Sequence, residues 1–336
     1  MPIDPAKPFD LTFDVTPSHN RSRLDVFIKA MIPSMSRTRA QLRIAEGRVE
    51  VNCSVRPANW RVLAGDIVLV RCRIPEEGAD AGRRIPLDIL YEDGDVIVVN
   101  KQPGLVVHPV GRHRHDTLLN ALYWRYHGVL PEGESISLAN RLDQYTSGIV
   151  LATKNTGAKR VLQEDFERRM PVKEYLGLCR GRPAGDAGEI DLPIGADPSE
   201  RDHCRMAVRR DGAGKEARTV FQVEERFAGS FALVRLFPVT GRQHQLRVHM
   251  SAVGHPLAAD ARYGGGHRLE LLPPDGKTVV LARYALHATG LVFRHPANGR
   301  ELIFEAPLAA DLNEVVSALR RGAREVVAGF TLPGDE

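Results

Sequence analysis

The sequence predicts an α+β protein built on a mixed, largely antiparallel sheet and preceded by a small, basic α/β domain. Three observations lead there. At 336 residues the chain exceeds what one hydrophobic core ordinarily serves, so at least two folded units are expected. Residues 20 to 75 hold eleven Arg or Lys against four Asp or Glu, a net +7 that leaves −3 for the rest of a chain carrying +4 overall. Beyond about residue 86, strand-like runs are interleaved irregularly with a few helical stretches, unlike the regular repeat of a parallel sheet.

Taken in order, residues 1 to 19 read as an N-terminal tail. Asp4, Asp10 and Asp14 interrupt it, and the absence of a continuous apolar stretch argues against a secretory or mitochondrial leader. Ser22 to Ala30 predicts a short helix with Leu24, Phe27 and Ile28 on one apolar face, ended by Pro33. Ser36 suits the N-cap of a second helix bearing Arg37, Arg39 and Arg43 outward and Leu42 and Ile44 inward, closed by Gly47. Val49 and Val51 then alternate as in a strand, a turn falls near Asn52, and Ile67 to Val70 forms a last strand after Gly65-Asp66. Concentrated positive charge in so small a unit suits a phosphate backbone, whose neutralisation releases counterions.

The run Arg23-Leu24-Asp25-x-Phe27-Ile28, Ser36-Arg37, Gly47-x-Val49-x-Val51-Asn52 and Ala64-Gly65-Asp66-x-Val68 resembles the S-four-type (αL) RNA-binding module. That resemblance covers residues 20 to 75. It implies that the second helix and the loop after it meet RNA, through Arg37, Arg39, Gln41 and Arg43.

Residues 76 to 85 contain two glycines and no large apolar residue before Ile85 at their end, the composition of a flexible linker. The second domain spans 86 to 325, with a C-terminal tail over 326 to 336. Its first strands, Asp88 to Tyr91 and Val96 to Asn100, flank an Asp93-Gly94 turn; helices follow over Asp116 to Tyr126 and Gly157 to Met170. Further strands run through Lys173 to Cys179, Ala217 to Glu224, Phe231 to Phe237 and Leu286 to Glu305.

Several ordered motifs lie on this domain. Lys101-Gln102-Pro103-Gly104-Leu105-Val106-Val107-His108-Pro109 comes first, then Asn140-Arg141-Leu142-Asp143 leading to Thr146-Ser147-Gly148. Lys173-Glu174-Tyr175 follows, then Thr240-Gly241-Arg242-Gln243-His244-Gln245-Leu246-Arg247-Val248-His249, then Gly254-His255-Pro256 with Asp260 and Tyr263-Gly264. Leu286-His287-Ala288, Phe293-x-His295-Pro296 and Phe304-x-Ala306-Pro307 close the series. Alone, Arg141-Leu142-Asp143 would read as an acid and an arginine beside a turn. Together, over residues 87 to 310, the motifs resemble the RluA/RluD family of pseudouridine synthases.

The resemblance implies that Asp143 is the catalytic carboxylate, acting on the uridine sugar or base or assisting a glycal intermediate. Arg247 would pair with it and keep it ionised. Tyr175 would stack on the target base and could accept the C5 proton, and Arg141 would enter the space left by a flipped base. Leu142 and Leu246 would shape an apolar wall, while Arg242 and Lys173 would support charge or contact RNA. The reaction breaks the sugar bond to N1, turns the uracil and rejoins it through C5, so no cofactor and no metal are expected.

Two positions depart from the family: Asn140 stands where histidine is usual, and Ala259 where glycine is usual before Asp260. Metal chemistry at His108, His113 and His115, or at His244 and His249, lacks a recognised ligand spacing. A glycosidase would need a second carboxyl paired with Asp143, which no motif supplies. Four scattered cysteines, Cys53, Cys72, Cys179 and Cys204, form no C-x-x-C pair, and no segment has the length of a membrane span. The expectation is thus a cytoplasmic, monomeric enzyme whose partner is RNA, chosen as large-subunit ribosomal RNA. Transfer RNA as substrate, or a non-catalytic RNA-binding assembly factor, are the alternatives.

Overall fold

A computed structural model describes residues 9–32, 35, 37–72, 84–111, 113–126, 129–130, 134–200, 205–228 and 230–326. The chain divides into two compact units, residues 1–81 and 82–336. Pro33, Ser36, the linker expected over 76 to 85 (except its last two residues) and the tail beyond Val326 lie outside the described residues.

The small unit contains β1 (Phe9–Asp14), α1 (Leu24–Met31), α2 (Arg37–Ala45), β2 (Val49–Val51), β3 (Ser54–Val55) and β4 (Ile67–Cys72). Its sheet runs β1-β4-β2-β3, antiparallel throughout. Leu24, Phe27 and Ile28 of α1 are fully buried against Ile44, Val49, Val51, Val68 and Val70, the apolar face read from the sequence. Asn52 and Cys53, both left-handed, make the two-residue turn between β2 and β3 that matches strand twist. The expected N-terminal tail is corrected: β1 lies within it and pairs with β4 from Phe9↔Cys72 to Asp14↔Ile67. Phe9, Leu11 and Phe13 alternate with polar residues at the strand period, and Leu11 and Phe13 pack on the core.

The large unit opens with the hairpin β5 (Asp88–Glu92) and β6 (Val96–Lys101), then α3 (Leu118–Tyr126), β7 (Ser137–Leu138), β8 (Ser147–Thr153), α4 (Thr156–Glu167) and β9 (Val172–Arg180). Next come β10 (Ala187–Asp191), β11 (Ile194–Ala196), β12 (Met206–Val208), β13 (Arg218–Phe227), β14 (Phe231–Pro238) and α5 (Gln245–Ala252). It ends with β15 (Leu269–Leu272), β16 (Val279–Leu281), β17 (Leu286–Arg294), β18 (Glu301–Glu305), α6 (Ala310–Arg320) and β19 (Arg324–Glu325). A ten-stranded sheet in the order β10-β13-β14-β9-β17-β8-β6-β5, with β18 on β17 and β7 on β8, is antiparallel except where β17 meets β8. The α+β class with its mixed, largely antiparallel sheet is therefore as expected.

Both faces of this sheet are covered, and the residues alternate accordingly. Ile97, Val99, Val150 and Ala152 join one core with Leu118 and Leu122 of α3 and Met250 of α5, while Val96, Val98, Ile149 and Leu151 join another with Leu162 of α4. Every residue of β8 is buried, as a central strand between two layers requires. Asn155 caps α4 by accepting from the Ala158 amide, and the helix ends at Glu167, earlier than Met170, because Arg169 turns left-handed. No helix among the described residues is long and apolar enough to cross a membrane.

Candidate active site

Strand β17 organises the site. Its Ala288 is in register with Tyr175 of β9 on one side and Gly148 of β8 on the other, so the tyrosine and the loop entering β8 lie in one row across the sheet. Asp143 sits in that loop, where a turn closed by the Thr146 amide donating to the Asp143 carbonyl (3.1 Å) presents its side chain at 27% exposure.

From α5, buried Arg247 donates through Nη1 to Asp143 Oδ2 at 3.2 Å. Its Nε and Nη2 grip Asp260 in a bidentate pair at 2.8 and 2.9 Å, and the Tyr284 ring covers it 3.9 Å from the guanidinium carbon. Burial disfavours the cation, but the hydrogen bonds and charge of Asp260, with the charge of Asp143, hold Arg247 above the usual arginine range. It is thus a fixed positive charge whose position Asp260 sets and whose remaining nitrogen addresses Asp143.

Tyr175 is buried in the core cluster that also holds Leu142 and Leu246. Burial, reinforced by the Asp143 charge, pushes its phenol above the ordinary tyrosine range. The phenol therefore stays protonated at neutral pH, and could take a proton from substrate only after losing its own. A fixed carboxylate, a cation that steadies it and an aromatic surface at an apolar wall can together receive a flat, uncharged ring and attack or deprotonate it.

A family model described as RNA pseudouridylate synthase matches residues 95–252. The chain is 38% identical over 316 residues to the uncharacterized RNA pseudouridine synthase YlyB of Bacillus subtilis (strain 168), covering 92% of this chain and 98% of that one. It is 36% identical over 324 residues to the ribosomal large subunit pseudouridine synthase D of Vibrio vulnificus (strain CMCP6), covering 95% and 98%. This chain belongs to the RluA family of RNA pseudouridine synthases. The solved structure of human RNA pseudouridylate synthase domain containing 4 is similar at 28% identity, with a TM-score of 0.53 over 69% of this chain and 93% of that one.

Arg141 is exposed, near enough to His108 that its charge adds to burial in pushing that imidazole down. Lys173, half-buried on β9 two residues from Tyr175, is pushed down by burial and by Arg169. Arg242 donates through Nε to the Glu216 carbonyl (2.9 Å), tying its loop to the chain before β13. In the small domain, Arg37 and Gln41 donate to the buried Asp25 carboxylate at 2.9 and 2.6 Å, alongside Arg23 at 3.0 Å. Burial opposes the Asp25 anion, yet these bonds hold it well below the carboxylate range. Arg43 is half-buried on the same helix, and the Arg39 side chain lies outside what the structure describes.

Asn140 replaces a histidine without leaving a gap in bonding. Its amide donates to the Ile149 carbonyl (3.2 Å) and accepts from the Leu151 amide (2.7 Å), clipping the Asp143 loop to β8. Ala259 adopts the left-handed φ of 58°, the conformation for which glycine is the usual residue.

Several further side chains around the site carry no sequence signal of a role. Lys101 is buried, and its ammonium donates to the carbonyls of Gln102, Leu105 and Gln144, each at 3.0 Å; burial pushes it down to about 7. Gln245 accepts from Thr240 Oγ1 and the Arg242 amide, fixing the entry to α5. His244 lies 3.8 Å from Asp143 with its other nitrogen on the Tyr263 hydroxyl, and His249 is held between Thr219 and Leu192. Among the described residues, the one group whose ligand atoms could converge on a metal is Asp93, Asp95 and His295, and there the imidazole bonds Asp93 at 2.8 Å. A cavity of about 300 Å³ is lined by Lys101, Ser147, Leu87, Val99, Leu118 and Ala310 among others, but by none of Asp143, Tyr175 and Arg247.

His287 gives the molecule an acid-sensitive point. It is fully buried, with Nδ1 on Ser147 Oγ (2.9 Å) and Nε2 on the Ala306 carbonyl (3.3 Å), an arrangement that fits the neutral ring. Burial, aided by the Arg283 charge, pushes it down to about 4. Between pH 6.5 and 4 the unfolded chain binds a proton that the folded chain refuses. The stability is therefore complete above 6.5 and lost as pH falls to 4, by about 3 kcal/mol. Urea unfolding across that window should show this fall, and His287→Gln should flatten it; an unchanged slope in the variant would assign the effect elsewhere.

Proposed function

We propose that this synthase isomerises uridines in large-subunit ribosomal RNA, with Asp143 acting on a nucleoside flipped out of its helix. The observation that carries the reading is the partly exposed Asp143 carboxylate, held at 3.2 Å by an arginine whose other edge is occupied by Asp260. Such an arrangement holds one carboxylate oxygen in place and leaves the other for the nucleoside.

Each neighbour then has a place in the cycle. Tyr175 offers its ring to the uracil, with Leu142 and Leu246 behind it excluding water. Arg141, exposed two residues before the carboxylate, fills the stack that the base has left. Lys173 and Arg242 flank the opening as contacts for phosphate. Once the bond to N1 is broken and the uracil is turned, C5 is joined to the sugar; C5 gives up its proton and N1 ends protonated, so the product is an isomer of the substrate.

The small domain supplies affinity through α2, whose Arg37, Arg39, Gln41 and Arg43 are its candidate contacts for RNA. Arg37 keeps 51% of its side chain exposed even while bonded to Asp25, so it meets a phosphate already oriented. The ribosomal assignment is supported by the names of relatives such as the Vibrio vulnificus enzyme. The full chain should release tritium from unmodified large-subunit ribosomal RNA labelled at uridine C5. Release from labelled transfer RNA with none from ribosomal RNA would overturn the substrate.

A further inference from the structure

Arg283 and Tyr284, just before β17, touch Arg247 and the loop residues that follow Asp143. The Tyr284 hydroxyl accepts from the Tyr145 amide at 3.2 Å, while its ring lies over the Arg247 guanidinium at 3.9 Å. Arg283 Nη1 donates to the Tyr145 carbonyl at 3.0 Å and the Leu286 carbonyl at 3.2 Å, and Nη2 to Ser147 Oγ at 3.2 Å. One dipeptide therefore mounts the loop that carries Asp143 and the arginine that faces it.

The mount is itself anchored from a distant part of the chain. Arg283 Nε and Nη2 form a bidentate pair with Asp311 at 2.6 and 2.8 Å, and Asp311 stands in the first turn of α6. With that pair, all five N–H groups of the buried Arg283 have acceptors, so the guanidinium has one orientation available. Helix α6 packs its own buried face, Leu312, Val315, Val316 and Leu319, into a core with Leu178 of β9 and Leu233 of β14. Asp311 is thus fixed to the same sheet that carries Tyr175.

We propose that Asp311 is a positioning residue for isomerisation, acting through Arg283 and Tyr284 to set the Asp143 carboxylate against Arg247. This rests on the reading that Asp143 is the catalytic carboxylate. Asp311 is 36% exposed at its side chain, and the loop has other ties: Lys101 and the Gly104 amide both bond the Gln144 carbonyl. Its removal therefore loosens the mount without releasing the loop. Misplacement of a reacting group by about an ångström lowers rates by roughly a hundredfold.

The test is steady-state tritium release by the full chain carrying Asp311→Ala, Asp311→Glu or Tyr284→Phe, with Asp143→Asn alongside. The expected result for Asp311→Ala is a kcat lower by about ten- to a hundredfold with KM for RNA within about threefold of wild type. Asp311→Glu should recover most of the rate, because its carboxylate can still pair bidentately. A purely structural ion pair would shift the melting temperature and leave kcat below that temperature alone, so a kcat within twofold of wild type overturns the inference. If Asp311→Ala does not fold, Tyr284→Phe decides: it keeps the ring over Arg247, removes the bond to Tyr145, and must lower kcat or the inference fails. An inert Asp143→Asn beside a fully active Asp311→Ala refutes the positioning role alone. An active Asp143→Asn refutes the catalytic reading and this inference with it.

Discussion

Asp143→Asn is expected to release no tritium from RNA labelled at uridine C5 while still retaining that RNA on a filter. The amide is the same size as the carboxylate, and its oxygen can still accept from Arg247 Nη1. Arg247 would keep its bidentate bond to Asp260 and its cover from Tyr284, so the pocket should hold its shape. What vanishes is the negative charge and the basic oxygen. An amide neither attacks a sugar nor takes a proton at neutral pH, so the loss should reach the limit of the assay, at least about ten-thousandfold in kcat. Release within about a hundredfold of wild type would move the chemistry to another group.

Gly148→Ala should do to the fold what Asp143→Asn does to the reaction. A methyl group there would lie 2.1 Å from the Ala288 carbonyl oxygen and 2.7 Å from that residue's carbon and nitrogen, all of them backbone. Its φ of +109° is also one that L side chains rarely adopt. Because Ala288↔Gly148 is one of the two pairings that join β8 to β17, relief requires parting those strands beside the Asp143 loop. A loss exceeding about 4 kcal/mol is expected, visible as insoluble expression or a large fall in urea midpoint. A change under about 1 kcal/mol would mean that the two strands are not in this register.

The fold class was legible from the strand and helix patterns of the chain. The grouping of Asp143, Tyr175 and Arg247 came from the resemblance of their motifs to the RluA family, because by residue type alone each reads as a local feature: an acid beside a turn, an aromatic in a buried strand, an arginine on a helix. The mount was not legible. Nothing in the spacing of Arg283 and Asp311 announces that one guanidinium reaches Tyr145, Ser147 and α6, because that depends on the register of β17 between β8 and β9. Strand β1 is obscured for a different reason: Asp10 and Asp14 break up the apolar run, and only the alternation of Phe9, Leu11 and Phe13 with polar residues marks a strand. Arg37 and Gln41 illustrate a third case. Read as contacts for RNA, they also bond a buried Asp25, which a helix pattern alone records as an acid in a first turn.

The Asn140 clip carries an implication for the conditions under which the enzyme stays assembled. A peptide-like side chain that both gives and receives a hydrogen bond does so at any proton concentration, whereas an imidazole in that place would offer the pair only while uncharged. The strand beneath the Asp143 loop is therefore fastened by a joint with no titration of its own. Acid reaches the start of β8 by a different route, through His287 and the serine it holds.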